Sequence, residues 1–243
     1  MRLQDQTTVI TGGGRGIGRA TALAFAREGA HVVVTARSEG EIVAVADEVR
    51  GLGRRALAVP ADVAKEADVD ELVRRTEAEF GRIDILVNNA GVIDFSPLAD
   101  APTEMWDRIM SVNLRGVFLV TRAVLPVMRR ARRGNIVMVS AIGSFGGGGI
   151  APIYRASKAA LNNIAEAFAQ ETLGQGIRVN TVCPAETDTR LNRMAYPSGP
   201  GHAVWMRPED IADVILFLAS DQSRAMTGAT LVACGSAKLS RWG

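Results

Sequence analysis

Short apolar runs alternate with longer amphipathic runs along almost the whole chain. The apolar runs are rich in Val and Ile, and several lack the polar alternation of a strand with one face in water. Strands that are buried on both faces have this pattern. The pattern predicts strands at Thr8–Thr11, His31–Ala36, Ala56–Pro60, Ile83–Asn88, Asn135–Ser140, Arg178–Val182 and Thr230–Ala233.

The amphipathic runs between them predict helices at Gly16–Glu28, Glu39–Leu52, Glu66–Phe80, Thr103–Arg130, Pro152–Leu173 and Pro208–Ala219. Thr103 is expected to cap the helix after Pro102, and Pro208 followed by two acids is a favourable first turn for the last helix. Repeated strand–helix alternation indicates an α/β fold, a doubly wound parallel sheet of about seven strands with helices on both faces. No linker or repeat interrupts the series, so residues 1–243 are interpreted as a single domain.

Composition narrows the class of protein. Hydrophobic residues make up 47% of the chain, which excludes intrinsic disorder, and a formal net charge of +2 indicates no nucleic-acid or membrane partner. The polar N-terminus lacks the apolar region of a signal peptide, and no apolar run suggests a membrane span, so a cytoplasmic location is expected. Cys183 and Cys234 follow apolar stretches and are predicted to be ordinary buried thiols, with no metal site indicated.

A glycine-rich segment, TGGGRGIG at residues 11–18, follows the first strand and opens the first helix. Glycines permit a tight turn and a close backbone approach, and a helix N-terminus presents free N–H groups to a pyrophosphate. Such turns also serve packing alone, but the strand–turn–helix context favours a dinucleotide. The predicted binding residues here are Gly12, Gly14, Arg15, Gly16, Ile17 and Gly18.

The end of the second strand is expected to approach the adenosine ribose. A carboxylate there would bind the 2′-hydroxyl of NAD, whereas this chain has Ala36 followed by Arg37. Arg37, with Arg15 within reach, is suited to binding a phosphate. The alternative is a solvated Arg at a strand end. The sequence therefore favours NADP(H) over NAD(H).

Tyr154 and Lys158 are four residues apart near the start of a predicted helix, and so share one face of it. Tyrosine titrates near pH ~10, too high for a base at neutral pH. A nearby ammonium and the positive ring of an oxidised nicotinamide both favour the phenolate, so Tyr154 could exchange a proton with an alcohol or alkoxide. Lys158 is one of only three lysines in an Arg-rich chain.

Ser140 is predicted to end the fifth strand, where its hydroxyl would face the crevice and bind a substrate oxygen. A turn serine with only local hydrogen bonds is the alternative, and Ser144 could compete for the role. Asn113 lies inside a predicted helix, where Asn is unfavourable without a structural or catalytic reason. Asn88 and Asn89 follow the fourth strand and could tie strand ends together.

These motifs in this order resemble the short-chain dehydrogenase/reductase family, in particular its 3-oxoacyl-thioester reductases, over about residues 5 to 235. The resemblance implies a Rossmann-like fold and a catalytic tetrad of Asn113, Ser140, Tyr154 and Lys158. Asn113 would hold a water in a proton relay from Lys158, and Lys158 would bind the nicotinamide ribose. The further cofactor contacts it implies are Asp62, Val63, Asn89, Ala90, Gly91, Pro184, Thr187 and Thr189.

Three positions depart from the family pattern. Ala185 follows Pro184 where relatives have Gly, which either narrows the space beside the nicotinamide or shows that no positive φ is needed. The spacing from Ser140 to Tyr154 is fourteen, one more than in many relatives, and the extra residue is assigned to a mobile loop at Gly146–Gly149. Cys234-Gly235-Ser236 replaces a common Asp-Gly-Gly near a subunit contact.

The expected activity is hydride transfer between NADP(H) and a ketone or secondary alcohol, with a 3-oxoacyl thioester as the leading substrate and a sugar, polyol or steroid-like alcohol next. A non-catalytic NADP(H)-binding sensor or scaffold of the same fold is the alternative. A short substrate loop is predicted around residues 190–207, with Arg190 and Arg193 able to attract an anionic carrier. A small-molecule substrate and a homodimer or homotetramer are the expected partners.

Overall fold

In a computed structural model, which describes residues 1–146, 150–195 and 205–235, seven strands form one parallel sheet in the order β3-β2-β1-β4-β5-β6-β7. The strands are β1 Thr7–Thr11, β2 His31–Ala36, β3 Ala56–Pro60, β4 Ile85–Asn88, β5 Gly134–Val139, β6 Ile177–Pro184 and β7 Thr230–Ala233. The predicted doubly wound sheet is confirmed, and all seven predicted strands are present.

Eight α-helices are described around the sheet, and seven of them lie in the six predicted helical stretches. They are α1 Gly16–Arg27, α2 Glu39–Gly51, α3 Glu66–Phe80, α4 Thr103–Met110, α5 Gly116–Ala131, α6 Pro152–Glu171, α7 Arg190–Ala195 and α8 Pro208–Ala219. The predicted helix at Thr103–Arg130 is divided into α4 and α5 by a π-helical turn at Ser111–Arg115. The short α7 was not predicted.

Both faces of the sheet are buried, which explains the continuous apolar runs in the sequence. Successive residues of a strand point to opposite faces, and Ile10 packs with α1, α2 and α8 whereas Val9 packs with α3, α5 and α6. The same alternation continues in β4, where Ile85 belongs to the first core and Leu86 to the second. Two cores therefore fix the sheet between two helical layers.

The start signals of two helices had different outcomes. Pro208 opens α8 with Glu209 and Asp210 in its first turn, as predicted, and the Asp210 carboxylate also accepts a hydrogen bond of 2.9 Å from the backbone N–H of Arg207. The prediction for Thr103 is wrong, because the helix begins at Thr103 itself after an extended Pro102, with no side-chain cap. Pro102 has the extended conformation that is typical of the residue before a helix, so Thr103 already belongs to the first helical turn.

The stretch Thr103–Ala131 is, within the described ranges, the one helix whose length and composition would suffice to cross a membrane. Half of the most apolar part of this stretch is buried inside the protein, where α5 contacts β4, β5 and α3. Core helices meet the same criteria, so this stretch is weak evidence for a membrane span.

The two cysteines differ in environment. Cys183 in β6 is fully buried, as predicted, but Cys234 is only partly buried. Cys234 directly follows β7, the last strand of the sheet, and an edge strand has a neighbour on one side only. The apolar residues before Cys234 therefore identify a strand, but they do not make Cys234 a buried core residue as predicted.

Candidate active site

An open cleft of about 1240 Å³ lies at the carboxyl ends of the strands, beside the point where the chain order of the sheet reverses between β1 and β4. Ligands bind at this position in open α/β sheets. The predicted site residues that line the cleft are Gly12, Gly14, Arg15, Gly16, Ile17, Arg37, Asp62, Val63, Asn89, Ala90, Gly91, Ser140, Tyr154, Lys158, Pro184, Thr187 and Thr189. Gly18 and Asn113 are not among the residues that line it.

The glycine-rich turn between β1 and α1 has a conformation that only glycine adopts easily. Gly12 and Gly16 have φ values of +64° and +52°. A Cβ on Gly18 would lie 2.2 Å from the carbonyl oxygen of Gly12, so Gly18 allows the turn to close although it does not face the cleft. The turn leaves the N-terminus of α1 open to the cleft, which is a cradle suited to a pyrophosphate.

Asn89, directly after β4, fastens this turn to the centre of the sheet. Its Nδ2 donates to the carbonyl oxygens of Thr11 and Gly12 at 3.0 and 3.1 Å. The Thr11 hydroxyl accepts hydrogen bonds of 3.0 Å from the backbone N–H groups of both Asn89 and Ala90. Asn88 lies deeper and donates to Thr121 Oγ1 at 3.0 Å. Both asparagines thus tie strand ends to their neighbours.

Tyr154 and Lys158 occupy successive turns of α6 at the cleft, with Lys158 Nζ 5.8 Å from the centre of the Tyr154 ring. Burial lowers the pKa of Lys158 to about 8, and burial raises the pKa of Tyr154, with a smaller contribution from Cys183. Lys158 therefore remains largely protonated at neutral pH. Desolvation of the phenol opposes the effect of the ammonium, so a shift of Tyr154 toward the phenolate needs the further positive charge that the sequence analysis expects from the nicotinamide.

The Lys158 ammonium is held by the end of β5, since it donates to the carbonyl oxygen of Val139 at 2.8 Å. Only 3% of the residue is exposed. A Cβ on Gly91 would lie 3.7 Å from Lys158 Nζ and 3.5 Å from Asn113 Oδ1, so these two side chains approach the same point on the loop after β4.

Ser140 directly follows β5, because the strand ends at Val139, one residue earlier than predicted. Its hydroxyl is buried and donates to the backbone carbonyl of Lys158 at 3.1 Å. Its backbone N–H donates to Val182 in β6 at 2.8 Å, which fixes the residue between two strand ends. Ser140 thus lies at the cleft as predicted, with its proton directed at the helix that carries Tyr154.

Asn113 is fully buried in the π-helical turn between α4 and α5. Its Oδ1 accepts from the backbone N–H of Val92 at 2.8 Å, and its Nδ2 donates to the Val92 carbonyl at 2.9 Å and to Ser157 Oγ at 3.1 Å. The π turn adds one residue to the helical repeat, and such turns are frequent at functional sites. Asn113 therefore joins the loop after β4 to α6.

Arg37, Arg15 and Glu41 are among the charged side chains at the adenosine end of the cleft. Arg37 is exposed and, within the described residues, forms no ion pair. Arg15 lies 3.4 Å from the carboxylate of Glu41 in the first turn of α2. A Cβ on Gly14 would lie 2.9 Å from Glu41 Cβ, so Gly14 also makes room for this acid. Glu41 gave no signal in the sequence because its position depends on how α2 packs against the glycine-rich turn.

The strand β6 continues into the segment that closes the other end of the cleft. Ala185 lacks a positive φ, which settles that the backbone here does not need glycine. Met206 pairs with residues 186 and 188 through backbone hydrogen bonds of 2.9 and 2.8 Å, so both ends of the predicted substrate loop are pinned side by side. Residues 196–204 of that loop lie outside the described residues, as do Gly147–Gly149 and Ser236.

Thr189 and Asn192 connect α7 to the cofactor side of the cleft. A Cβ on Gly16 would lie 3.2 Å from Thr189 Cγ2, which places Thr189 against the glycine-rich turn. Asn192 Nδ2 donates to the carbonyl oxygen of Thr187 at 2.8 Å. Arg193 forms two hydrogen bonds of 2.5 and 2.8 Å with Asp188. The predicted attraction of an anionic carrier by Arg193 is thus reduced, because its charge is already paired.

A further polar cluster behind the cleft was not predicted. Asn162 Nδ2 donates to Ser144 Oγ at 2.8 Å, and both side chains contact the Cys183 thiol at 3.8–3.9 Å. Asn162 is eight residues after Tyr154, so it lies on the same face of α6. The Ser144 hydroxyl therefore already accepts a hydrogen bond from Asn162. Ser140, which lines the cleft, is the better placed of the two serines for a substrate. The periodicity of α6 was the one signal for Asn162.

Comparison with known proteins identifies the family. The family model for short chain dehydrogenases matches residues 6–198. The 3-oxoacyl-[acyl-carrier-protein] reductase FabG of Thermotoga maritima is 37% identical over 94% of this chain and 96% of its own length. The 2-(S)-hydroxypropyl-CoM dehydrogenase 3 of Xanthobacter autotrophicus is 36% identical over 96% of this chain and 97% of its own length.

Solved structures have the same architecture. Levodione reductase superposes with a TM-score of 0.91 at 31% identity, over 96% of this chain and 98% of that chain. A short-chain type dehydrogenase/reductase from Mycobacterium marinum gives the same TM-score at 33% identity, over 98% and 97%. The chain therefore belongs to the short-chain dehydrogenase/reductase family and is an oxidoreductase that acts on a hydroxyl-bearing carbon or a ketone.

Proposed function

We propose that this protein is an NADP(H)-dependent carbonyl reductase or alcohol dehydrogenase in which Tyr154 transfers the proton. The observation that carries the proposal is that Tyr154, Lys158 and Ser140 line the same cleft as the glycine-rich turn. A proton donor, a cation and a hydroxyl thus surround one end of a cavity whose other end can hold a dinucleotide. When bound, the nicotinamide supplies or takes up the hydride.

The residues of the turn fit the cofactor. The positive φ values at Gly12 and Gly16 and the Thr11–Asn89 hydrogen bonds shape a glycine-lined cradle in front of α1. Free N–H groups at the helix start would hold the pyrophosphate. Asp62, Val63, Ala90 and Gly91 form the wall along which the adenosine and ribose would lie.

Tyr154 would donate its proton to the oxygen of a carbonyl as that oxygen gains negative charge, and would take it back from an alcohol in the reverse direction. Burial keeps the phenol protonated before the cofactor binds. This suits the reductive direction, which needs a neutral acid at neutral pH. In the oxidative direction, the positive nicotinamide ring would lower the pKa of the phenol.

Ser140 and Lys158 would support that transfer. A substrate oxygen would have to attract the Ser140 proton away from the carbonyl oxygen of Lys158, and the hydroxyl needs only to rotate for this. Lys158 is suited to donate to the hydroxyls of the nicotinamide ribose, because an ammonium has three N–H donors and Val139 uses one of them.

Asn113 would close the proton path from Lys158 to solvent. Both N–H donors of its side chain are used, by Val92 and Ser157, so a relay water would be held by a carbonyl oxygen of this residue. Pro184, Thr187 and Thr189 would border the nicotinamide, since they line the cleft next to Tyr154 and the glycine-rich turn.

The preference for NADP(H) rests on Arg37 and Arg15. Neither the end of β2 nor the residue after it has a carboxylate that would repel a 2′-phosphate, and Arg37 is exposed and unpaired within the described ranges. The names of several relatives, 3-oxoacyl-[acyl-carrier-protein] reductases, make a 3-oxoacyl thioester the leading substrate class. The predicted substrate loop around residues 190–207 would cover it.

A cytoplasmic homodimer or homotetramer is the proposed form of the protein. Trp106 and Phe118 on the helices α4 and α5 are 45% and 38% exposed, which leaves aromatic surface for a second copy. Light scattering on the purified protein tests this assembly state.

The activity test uses purified protein with NADPH or NADH and a panel of ketones and 3-oxoacyl thioesters, with the absorbance of the reduced cofactor as the signal. Consumption of NADPH that depends on the ketone is the expected result. Cofactor binding without turnover of any ketone or thioester would contradict the proposal and would favour the non-catalytic sensor or scaffold.

A further inference from the structure

Among the described residues, six arginines line the cleft, and their partners divide them into two groups. Three are neutralised by carboxylates: Arg15 by Glu41, Arg19 by Glu48 and Arg193 by Asp188. The other three, Arg37, Arg155 and Arg190, form no ion pair within the described part of the chain. All 26 Asp and Glu residues lie in that part, so no undescribed acidic side chain is left to neutralise them.

The three unpaired arginines lie in different parts of the cleft. Arg37 follows β2, at the end assigned to the adenosine. Arg190 follows Thr189, which contacts the glycine-rich turn where the pyrophosphate would lie. Arg155 instead follows Tyr154 in α6 and contacts the loop after Ser140. Of the three, Arg155 is therefore the cation beside the reacting groups and away from the phosphates of the cofactor.

The side chain of Arg155 is held in place by that loop. A Cβ on Gly143 would lie 3.2 Å from Arg155 Cγ and 3.5 Å from Arg155 Cζ, so the arginine packs closely against this glycine, where a side chain would crowd it. Arg155 Nη1 also donates to the carbonyl oxygen of Gly146 at 3.1 Å. This bond uses one of the five N–H groups of a guanidinium, which leaves a positioned fork of donors.

The acids near this part of the cleft do not cancel the charge. Asp188 is bound to Arg193, and Glu186 is exposed and lies more than 4.0 Å from any guanidinium, since it forms no ion pair within the described residues. A partly buried, immobilised guanidinium without a carboxylate is suited to an anion supplied by a ligand.

We propose that Arg155 binds an anionic group of the substrate, a carboxylate, sulfonate or phosphate carried a short distance from the reacting carbonyl. This inference rests on the proposed function, since it places the anion relative to the proton donor Tyr154. It names a substrate class, oxo acids and their hydroxy counterparts, that includes acids without any acyl carrier.

The test compares each oxo acid with its uncharged methyl ester: acetoacetate, 4-oxopentanoate and 5-oxohexanoate, each with NADPH. Arg155→Gln removes the charge and keeps a polar side chain, and Arg155→Lys keeps the charge without the fork. Arg190→Gln is the control, because it removes a different unpaired cation of the same cleft. We expect Arg155→Gln to lower kcat/KM for the preferred acid about tenfold relative to its ester, the size of one charge-assisted hydrogen bond. Arg155→Lys should recover part of this ratio, and Arg190→Gln should leave it unchanged.

A purely structural role of Arg155 predicts a different result, because a disturbed loop would slow acid and ester equally. An equal loss for both, or an unchanged ratio, would overturn the proposal. Calorimetric binding of each acid and ester to the NADP⁺-bound protein gives a second readout that needs no turnover. If the wild-type protein reduces none of the ketones, the proposed function fails, while acid binding that is equal in wild type and Arg155→Gln would refute the role of Arg155.

Discussion

Tyr154 and Lys158 lie one turn apart on α6, and the protein around them changes the proton affinity of both side chains. Burial favours the neutral form of each group, so it raises the pKa of the phenol and lowers that of the ammonium to about 8. At neutral pH these shifts leave the phenol protonated and uncharged and the ammonium largely protonated. A positive nicotinamide is the charge that would lower the pKa of Tyr154 when alcohol oxidation requires a phenolate.

This account predicts how Tyr154 titrates. The chain has two tyrosines, so a Tyr196→Phe background leaves Tyr154 as the sole source of tyrosinate absorbance. Without cofactor, Tyr154 should remain protonated at pH ~10, where a free tyrosine is half ionised. NADP⁺ should move its ionisation to lower pH, whereas NADPH, which lacks the positive ring, should not. The same titration curve in all three states would contradict the account.

Binding of the 2′-phosphate of NADP(H) should depend on Arg37. Arg37→Ala removes a free guanidinium from the adenosine end, so the Kd for NADPH should rise about tenfold or more, as expected for a lost charge-assisted hydrogen bond. The Kd for NADH should stay within about twofold because NADH has no 2′-phosphate. Equal losses for both cofactors in a fluorescence titration would remove Arg37 from phosphate binding.

Glu41 should have the opposite effect. Its carboxylate both occupies Arg15 and repels a 2′-phosphate, so Glu41→Gln should tighten NADPH binding and leave NADH nearly unchanged. The pair is solvent-exposed, and such pairs contribute at most about 1 kcal/mol, which limits the gain to about two- to fivefold. The gain should shrink at high salt. Weaker NADPH binding by the variant would mean that Glu41 supports the phosphate site.

Among the structural elements, the π-helical turn at Ser111–Arg115 positions the buried side chain of Asn113. It turns Asn113 toward both backbone groups of Val92 and toward Ser157, and so connects the loop after β4 with α5 and α6. Apolar periodicity identified the helical stretch and the presence of Asn marked it as unusual. The extra residue of the turn could not be predicted, since it depends on the distance to the loop after β4.

Removing the Asn113 side chain should therefore destabilise the fold. Asn113→Ala leaves the N–H and C=O groups of Val92 without their partner, and we expect a loss of about 1–3 kcal/mol in the free energy of unfolding. The control is Asn163→Ala on the exposed face of α6, which should change it by less than about 0.5 kcal/mol. Equal midpoints for both variants in urea denaturation would argue against this role.

For the molecule as a whole, alternation of apolar and amphipathic runs was enough to predict the sheet, six helical stretches and the edge at which the cleft opens. The ordered motifs placed Ser140, Tyr154 and Lys158 at that cleft. Contacts between segments far apart in sequence were not predictable, as in the pairing of Arg15 with Glu41 and the packing of Arg155 on Gly143. Such contacts depend on how elements pack, which local periodicity does not encode.

The central claim is that Tyr154 transfers the proton while other residues hold the cofactor. Tyr154→Phe keeps the ring and its packing and removes only the hydroxyl. The most direct measurement pairs the steady-state rate of this variant on the best ketone with its Kd for NADPH, each compared with wild type. We expect turnover to be abolished and the Kd to change by less than about threefold, under 1 kcal/mol. Appreciable turnover by the variant would contradict the assignment of Tyr154 as the proton donor.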